Sequence, residues 1–321
     1  MTPPLASLDL LGDLVALPRA VQIGFTAVLG LLIGSFLNVC IHRLPKEGMS
    51  VRSARRSHCP KCDHELRWFE NLPVLSWCLQ RGRCRACSWP IPVRYPLVEL
   101  LTGVLFGVVA WRTPWDHPGL LFFQLLVIAG LVVATFVDFD CFEIPDEVSI
   151  GGMVLAPLIS LALPELHADT ILAQEMSSTP GIVDRGGALM GCLAGMATGG
   201  GILLGIGWLG KKLFGRDAMG LGDVKLLAAA GGFVGPGAVL MALFLGSMLA
   251  SVVGALNIAR FFCLLRRRTR ERGTRKSALQ ALQTARIVGR YLPFGPYLSL
   301  GVGIVLVDWK DVLQLFESFT P

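Results

Sequence analysis

Charge is what this sequence has least of. Aspartate, glutamate, lysine and arginine make up 16% of its 321 residues, where a soluble globular domain carries about 25%, and mean hydropathy is +0.60. That shortage excludes an ordinary soluble protein and points to a polytopic membrane protein. A basic segment at the amino terminus is also missing. Asp9 and Asp13 stand where a cleavable signal would carry lysine or arginine. The apolar stretch 20–41 is longer than the core of such a signal, so it reads as a first membrane span and not as a signal peptide.

Apolar runs of the required length, about 20 residues, fall near 20–41, 97–112, 119–137, 147–163, 186–210, 222–234, 236–260 and 294–308. The expected fold is therefore an all-α polytopic membrane protein of about eight transmembrane helices. Between 222–234 and 236–260, Gly231, Gly232, Gly235, Pro236 and Gly237 either form a tight turn or bend one long helix. Basic residues set the orientation, because lysine and arginine in short loops stay in the cytoplasm. Segment 42–96 holds eleven of them. More follow at Lys211, Lys212 and Arg216, and in the run from Arg266 to Arg290. Segments 112–118, 164–185 and 309–321 have few, so with eight spans both termini lie outside and the basic loops inside. The loop 138–146 has neither lysine nor arginine and takes its cytoplasmic side from the span count. Net charge is +6, but the basic residues are those of cytoplasmic retention next to membrane lipid, and no nucleic-acid partner is expected.

Nine cysteines are present, and four are grouped: Cys59 with Cys62, and Cys84 with Cys87. Each pair brings two thiolates to one side of a tight turn, and two such knuckles complete a tetrahedral site for a structural zinc ion. A pair of disulfides is the other reading, disfavoured in a loop that faces the cytoplasm. His58 and His64 flank the first knuckle as bystanders, since four sulfurs fill the site. Cys40, Cys78, Cys141, Cys192 and Cys263 read as packing thiols. The chain thus divides into 1–41, an amino-terminal segment with the first helix; 42–96, a small cytoplasmic zinc loop between helices 1 and 2; and 97–321, the membrane core.

Two acids stand out in that core. Asp138 and Asp223 each lie at the end of a long apolar run, where an ionisable group is costly and marks a functional site by default. By the span count they end the third and sixth helices on the same side. Two close carboxyls can share a proton, one activating water and the other protonating an amide leaving group, which is what peptide hydrolysis needs. Gly220 and Gly222, lacking a Cβ, let a substrate backbone or a neighbouring helix approach Asp223. Lys225 either tunes the pair, holds an anionic substrate group, or is a plain cytoplasmic anchor.

Seven motifs in order resemble the type IV prepilin peptidases, which also process type II secretion pseudopilins. They are Gly34 to Pro45, the four cysteines, Asn71 to Trp77, Arg94 to Leu100, Asp138 to Asp146, Ala218 to Leu226, and Leu292 to Tyr297. The resemblance implies a bacterial inner-membrane aspartyl protease that removes a basic leader after a glycine. It also implies N-methylation of the new amino terminus by S-adenosylmethionine, with no residue of this chain assigned to the donor and the loop 42–96 as its natural place. The family's catalytic aspartates map to Asp138, six residues before the pair Ile144 and Pro145, and to Asp223; Gly220 and Gly222 match its GxGD motif. Asp217 stands where the family often has glutamate, and segments 164–185 and 261–290 are longer than usual. The glycine run Gly199 to Gly207 lies inside a span and reads as helix packing, not as a soluble methyltransferase turn. Two readings from other classes stand beside this one: a transporter that uses the two aspartates for protons or cations, and a non-catalytic assembly factor that holds pilins through the zinc loop.

Overall fold

The computed structural model describes residues 15–46, 57–179, 181–215, 219–271 and 292–318. Asp9, Asp13, Asp217 and the basic stretch 272–290 lie outside these residues. Among the described residues nine α-helices follow one another: α1 (Arg19–Arg43), α2 (Leu75–Leu79), α3 (Arg94–Arg112), α4 (Pro118–Cys141), α5 (Asp146–Ala162), α6 (Ile171–Glu175), α7 (Arg185–Phe214), α8 (Leu221–Glu271) and α9 (Gly295–Glu317). Among the described residues there is no strand, only isolated bridges such as His58 with Glu65 and Arg83 with Pro90. Each of the eight predicted spans is helical. Among the described residues five helices, α1, α3, α4, α7 and α8, are long and apolar enough to cross a membrane.

Two compact units make up the chain, Met1–Val133 and Ala134–Pro321. In the first, α1 packs along α3 through small residues. A Cβ at Gly30 would lie 2.7 Å from Phe106 Cβ, and one at Gly34 2.8 Å from Glu99 Cα, so the two backbones approach as only glycine allows. The cysteine loop joins these two helices. α4 runs across the division, its last eight residues belonging to the second unit.

In the second unit α7 packs on α8 with equal closeness, Gly195 and Gly231 meeting backbone to backbone. α8 contains one non-helical residue, Gly235, at φ 83 and ψ 173. A Cβ placed on Gly199 would touch both the Leu227 carbonyl and, at 3.1 Å, Val239 Cγ2. Residues twelve apart in a straight helix are separated by about 18 Å, so the chain reverses at Gly235. The glycines there make a tight turn, not a bend, and the segments 221–234 and 236–271 return alongside the same helix. In the glycine run of α7, Gly199 and Gly200 are packing surface, as their position in a span predicts, whereas Gly201 and Gly205 are exposed and a Cβ there would meet nothing within 4 Å.

Candidate active site and metal centre

The two knuckles do converge. The sulfurs of Cys59, Cys62, Cys84 and Cys87 all lie within 4.8 Å of one another, with Cys59 and Cys87 at 3.8 Å and Cys62 and Cys84 at 4.0 Å. A tetrahedral ion bound at about 2.3 Å from each sulfur requires sulfurs about 3.8 Å apart, so the donor set fits a metal ion. The Lys61 backbone N–H donates to the Cys59 sulfur, and with Cys62 N–H it pulls that thiol down to about 6, toward the thiolate a metal needs. His64 turns away from the sulfurs to Glu70, 3.2 Å distant. The Arg67 N–H donates to the same carboxylate at 2.8 Å and, with His64, holds Glu70 below the usual range. Of the other cysteines, Cys40 and Cys192 are buried, whereas Cys78, Cys141 and Cys263 are exposed on the protein. The packing-thiol reading therefore holds for two of the five.

Beneath the loop, Glu99 is a buried acid whose role the sequence did not show. Its Oε2 accepts the N–H of Val74 at 2.8 Å, and the Ser35 hydroxyl reaches it as well. Val74 has φ 61, a costly conformation for a β-branched residue. The carboxylate thus fixes the strained start of α2 to α3. Asn38 adds a second tie between the two long helices, donating to the Tyr95 carbonyl at 3.1 Å.

The second unit assembles the aspartates. Asp138 lies in the last turn of α4 and is 5% exposed. Its Oδ2 accepts the backbone N–H of Gly295 at 2.9 Å. Gly295 opens α9, so the carboxylate caps that helix from another one and sits at the positive end of its dipole. A Cβ at Gly295 would stand 2.6 Å from the same oxygen. Asp223 lies in the first turn of α8, half-buried, and interacts electrostatically with Asp138. Ile144 is the spacer between these parts: its side chain is 3.3 Å from where a Gly222 Cβ would be and 3.2 Å from that of Gly295. Gly222 therefore admits the 142–145 loop. Gly220 is exposed, and a Cβ there would meet nothing closer than Asp223 Oδ2 at 3.5 Å.

That loop begins at Phe142, which stops α4 in the left-handed conformation at φ 56, a place usually taken by glycine. Pro145 then opens α5. Lys225 reaches Asp146 at 2.7 Å, tying the first turns of α8 and α5 together. Gly295, Ile144, Phe142 and Asp146 are parts of the site to which sequence reasoning had given no role. For Gly295 there was a signal, since it sits in the Leu292 to Tyr297 motif, and Phe142 likewise sits in the Asp138 to Asp146 motif, but nothing marked its left-handed backbone.

Residues 28–113 match the bacterial peptidase A24 N-terminal domain, and residues 125–255 match the type IV leader peptidase family. The second match contains both aspartates and the first all four cysteines. The chain belongs to the type IV leader peptidase family. Prepilin leader peptidase/N-methyltransferases are among its relatives. That of Stutzerimonas stutzeri is 33% identical over 91% of this chain and 91% of its own length, and that of Neisseria gonorrhoeae 35% identical over 70% and 79%. The protein of that name from Myxococcus xanthus is 41% identical over 72% of this chain, which spans 62% of that relative's length. No solved structure matches the chain. Membership makes the chain a leader peptidase and fits the all-α fold, the apolar helices and the tetracysteine loop described above.

Proposed function

We propose that this protein removes the leader from type IV prepilins or type II secretion pseudopilins at the cytoplasmic face of a bacterial inner membrane, cutting after a glycine, and then N-methylates the exposed residue. Asp138 and Asp223 form the proteolytic dyad. The observation that carries this reading is the geometry of Asp138, whose Oδ2 is fixed by Gly295 while Asp223 stands within electrostatic reach. With one oxygen committed to α9, the other is left to share a proton with Asp223. One carboxylate takes a proton from the attacking water, and the other gives a proton to the amide nitrogen as the peptide bond breaks. Two charges so placed titrate as a pair.

Gly222 admits the 142–145 loop, and Gly220, open on its exposed side, leaves room for an extended substrate backbone. Lys225 supports the site by holding Asp146. Cys59, Cys62, Cys84 and Cys87 hold zinc, which when bound supplies folding energy to the 42–96 loop. The methyl donor is S-adenosylmethionine, in keeping with the names of the relatives. Residues 97–321 serve as the protease core. Both termini face the periplasm, which places the dyad on the side where a basic leader is retained.

The test is incubation of the detergent-solubilised protein with a prepilin, with and without S-adenosylmethionine, read by intact mass. The expected result is loss of the leader in both samples and a further methyl mass only with the donor. Transport of an ion in proteoliposomes without any cleavage would overturn the reading.

A further inference from the structure

The described part of the cysteine loop carries an apolar surface that a water-exposed domain would not keep. Trp68 is 78% exposed and Leu79 is 81% exposed, with Leu75 one turn before Leu79 on the same face of α2 and also exposed. Trp68 stands edge-on to Phe69 at 5.7 Å, and the Arg85 guanidinium lies over the Phe69 ring at 5.6 Å. Phe69 and Leu79 form the apolar wall of a concavity of about 680 Å³ that Arg81, Arg83 and Arg85 also line. On another side Lys61 covers Trp89 at 4.5 Å. Aromatic rings interleaved with lysine and arginine are what the boundary between lipid and water selects.

The ends of the loop fix where this surface lies. α1 delivers the chain to it at Arg43 and α3 takes it back at Arg94, both helices being apolar enough to span a bilayer and packed side by side. The loop is therefore held against the bilayer surface at both ends. Glu70 also lines the concavity, but its carboxylate is already held by His64 and the Arg67 N–H, so three guanidinium groups leave the space net positive and select an anion; S-adenosylmethionine, with a sulfonium and an ammonium against one carboxylate, is net positive. The anion within reach of such a loop is the phosphate of the lipid headgroups.

We propose that the tetracysteine loop docks flat on the anionic bilayer beside its own helices. An anionic phospholipid headgroup occupies the concavity of Arg81, Arg83 and Arg85, while Trp68, Leu75 and Leu79 enter the interfacial layer. Each arginine near an anionic surface adds to the attraction, and the buried apolar side chains add to it. This docking goes beyond the peptidase reading and does not depend on it.

The test is hydrogen exchange of the full-length zinc-loaded protein in nanodiscs of phosphatidylcholine alone and of phosphatidylcholine with phosphatidylglycerol. Residues 68–88 should exchange about tenfold more slowly with phosphatidylglycerol, and high salt should reverse most of that protection. The pair Arg81→Glu and Arg85→Glu should abolish it while elemental analysis still finds zinc. Should that variant lose its metal, the salt reversal in the wild type decides alone. Equal exchange in the two lipids overturns the proposal. So does equal protection in phosphatidylcholine on adding inorganic phosphate or S-adenosylmethionine, since either would make the concavity a small-molecule site.

Discussion

In the tetracysteine loop, four side chains of one kind from two short turns between 59 and 87 meet at a point. In the aspartate site, a carboxyl at the end of one helix, another at the start of a second and the N–H that opens a third come together across 157 positions of chain. The first arrangement is local and could hold a metal ion. The second is built by helix packing, with Ile144 as a spacer and small residues wherever backbones touch. The difference teaches that the two regions fail in different ways. A lost sulfur should loosen a loop and leave the carboxyls in place, whereas a lost contact in the second unit should displace a carboxyl and leave the loop intact.

The most severe break of this contrast is at the carboxyls themselves. Asp138→Asn or Asp223→Asn should each reduce leader cleavage by about a thousandfold or more, since a unit of two catalytic groups fails when either is lost. Membrane insertion and zinc content should be unchanged. Asp140→Asn and Asp146→Asn should cost far less in the same intact-mass assay. Normal cleavage by either dyad variant would remove the assignment. Next is Gly295→Ala, which places a methyl group 2.6 Å from Asp138 Oδ2. We expect a loss of about ten- to a hundredfold in cleavage rate, the scale of a small misplacement of a catalytic group, with the loop's protease resistance unaltered.

Removing the metal inverts the pattern. Elemental analysis should find one zinc per chain in the wild type and little in Cys59→Ser. Limited proteolysis should then open residues 57–93, because the metal supplies folding energy that so small a core lacks. Cleavage by the dyad should fall less than about tenfold, well below the effect of Gly295→Ala at its upper limit. Equal collapse of both activities on chelation would erase the distinction between the regions.

The smallest effect at neutral pH concerns the far end of α5 from Asp146. His167 is fully buried there, in contact with Ser160 at 3.0 Å, and burial lowers its pKa from 6.5 to about 4. The folded state therefore keeps His167 neutral where the unfolded chain would take a proton. Stability from this residue is complete above pH 6.5 and declines as the pH falls toward 4, by about 3 kcal/mol in all. Thermal melts of the detergent-solubilised protein should show this decline, and His167→Asn should flatten it.

The comparison also explains what could be read from the sequence. The long helices were legible as apolar runs, and the four cysteines as a spacing, because both signals are local. Asp138 and Asp223 were legible because acids are rare in such runs. Gly295 as the donor to Asp138 and Asp146 as the partner of Lys225 were not, since each pairing joins segments far apart in the chain. The turn at Gly235 was open for a related reason: Gly235, Pro236 and Gly237 permit either a bend or a reversal, and only the contacts of Gly199 with both arms decide. Val74 and Phe142 hold left-handed backbone without being glycine, and composition gives no sign of such strain.

The reversal at Gly235 works as a ruler. Asp223 lies twelve positions before it, and Gly246 eleven positions after it rests against the Tyr297 carbonyl, two residues from Gly295. The outward and returning arms thus measure about 18 Å and about 16 Å, nearly equal strokes that bring Asp223 and the N–H holding Asp138 back to one depth. A single residue inserted into either arm would shift one carboxyl against the other by about 1.5 Å along the axis and rotate it by about 100°. The length of this hairpin is therefore fixed in whole residues, and the depth of Asp223 against Asp138 is set at Gly235, at the end of the arm remote from the carboxyls.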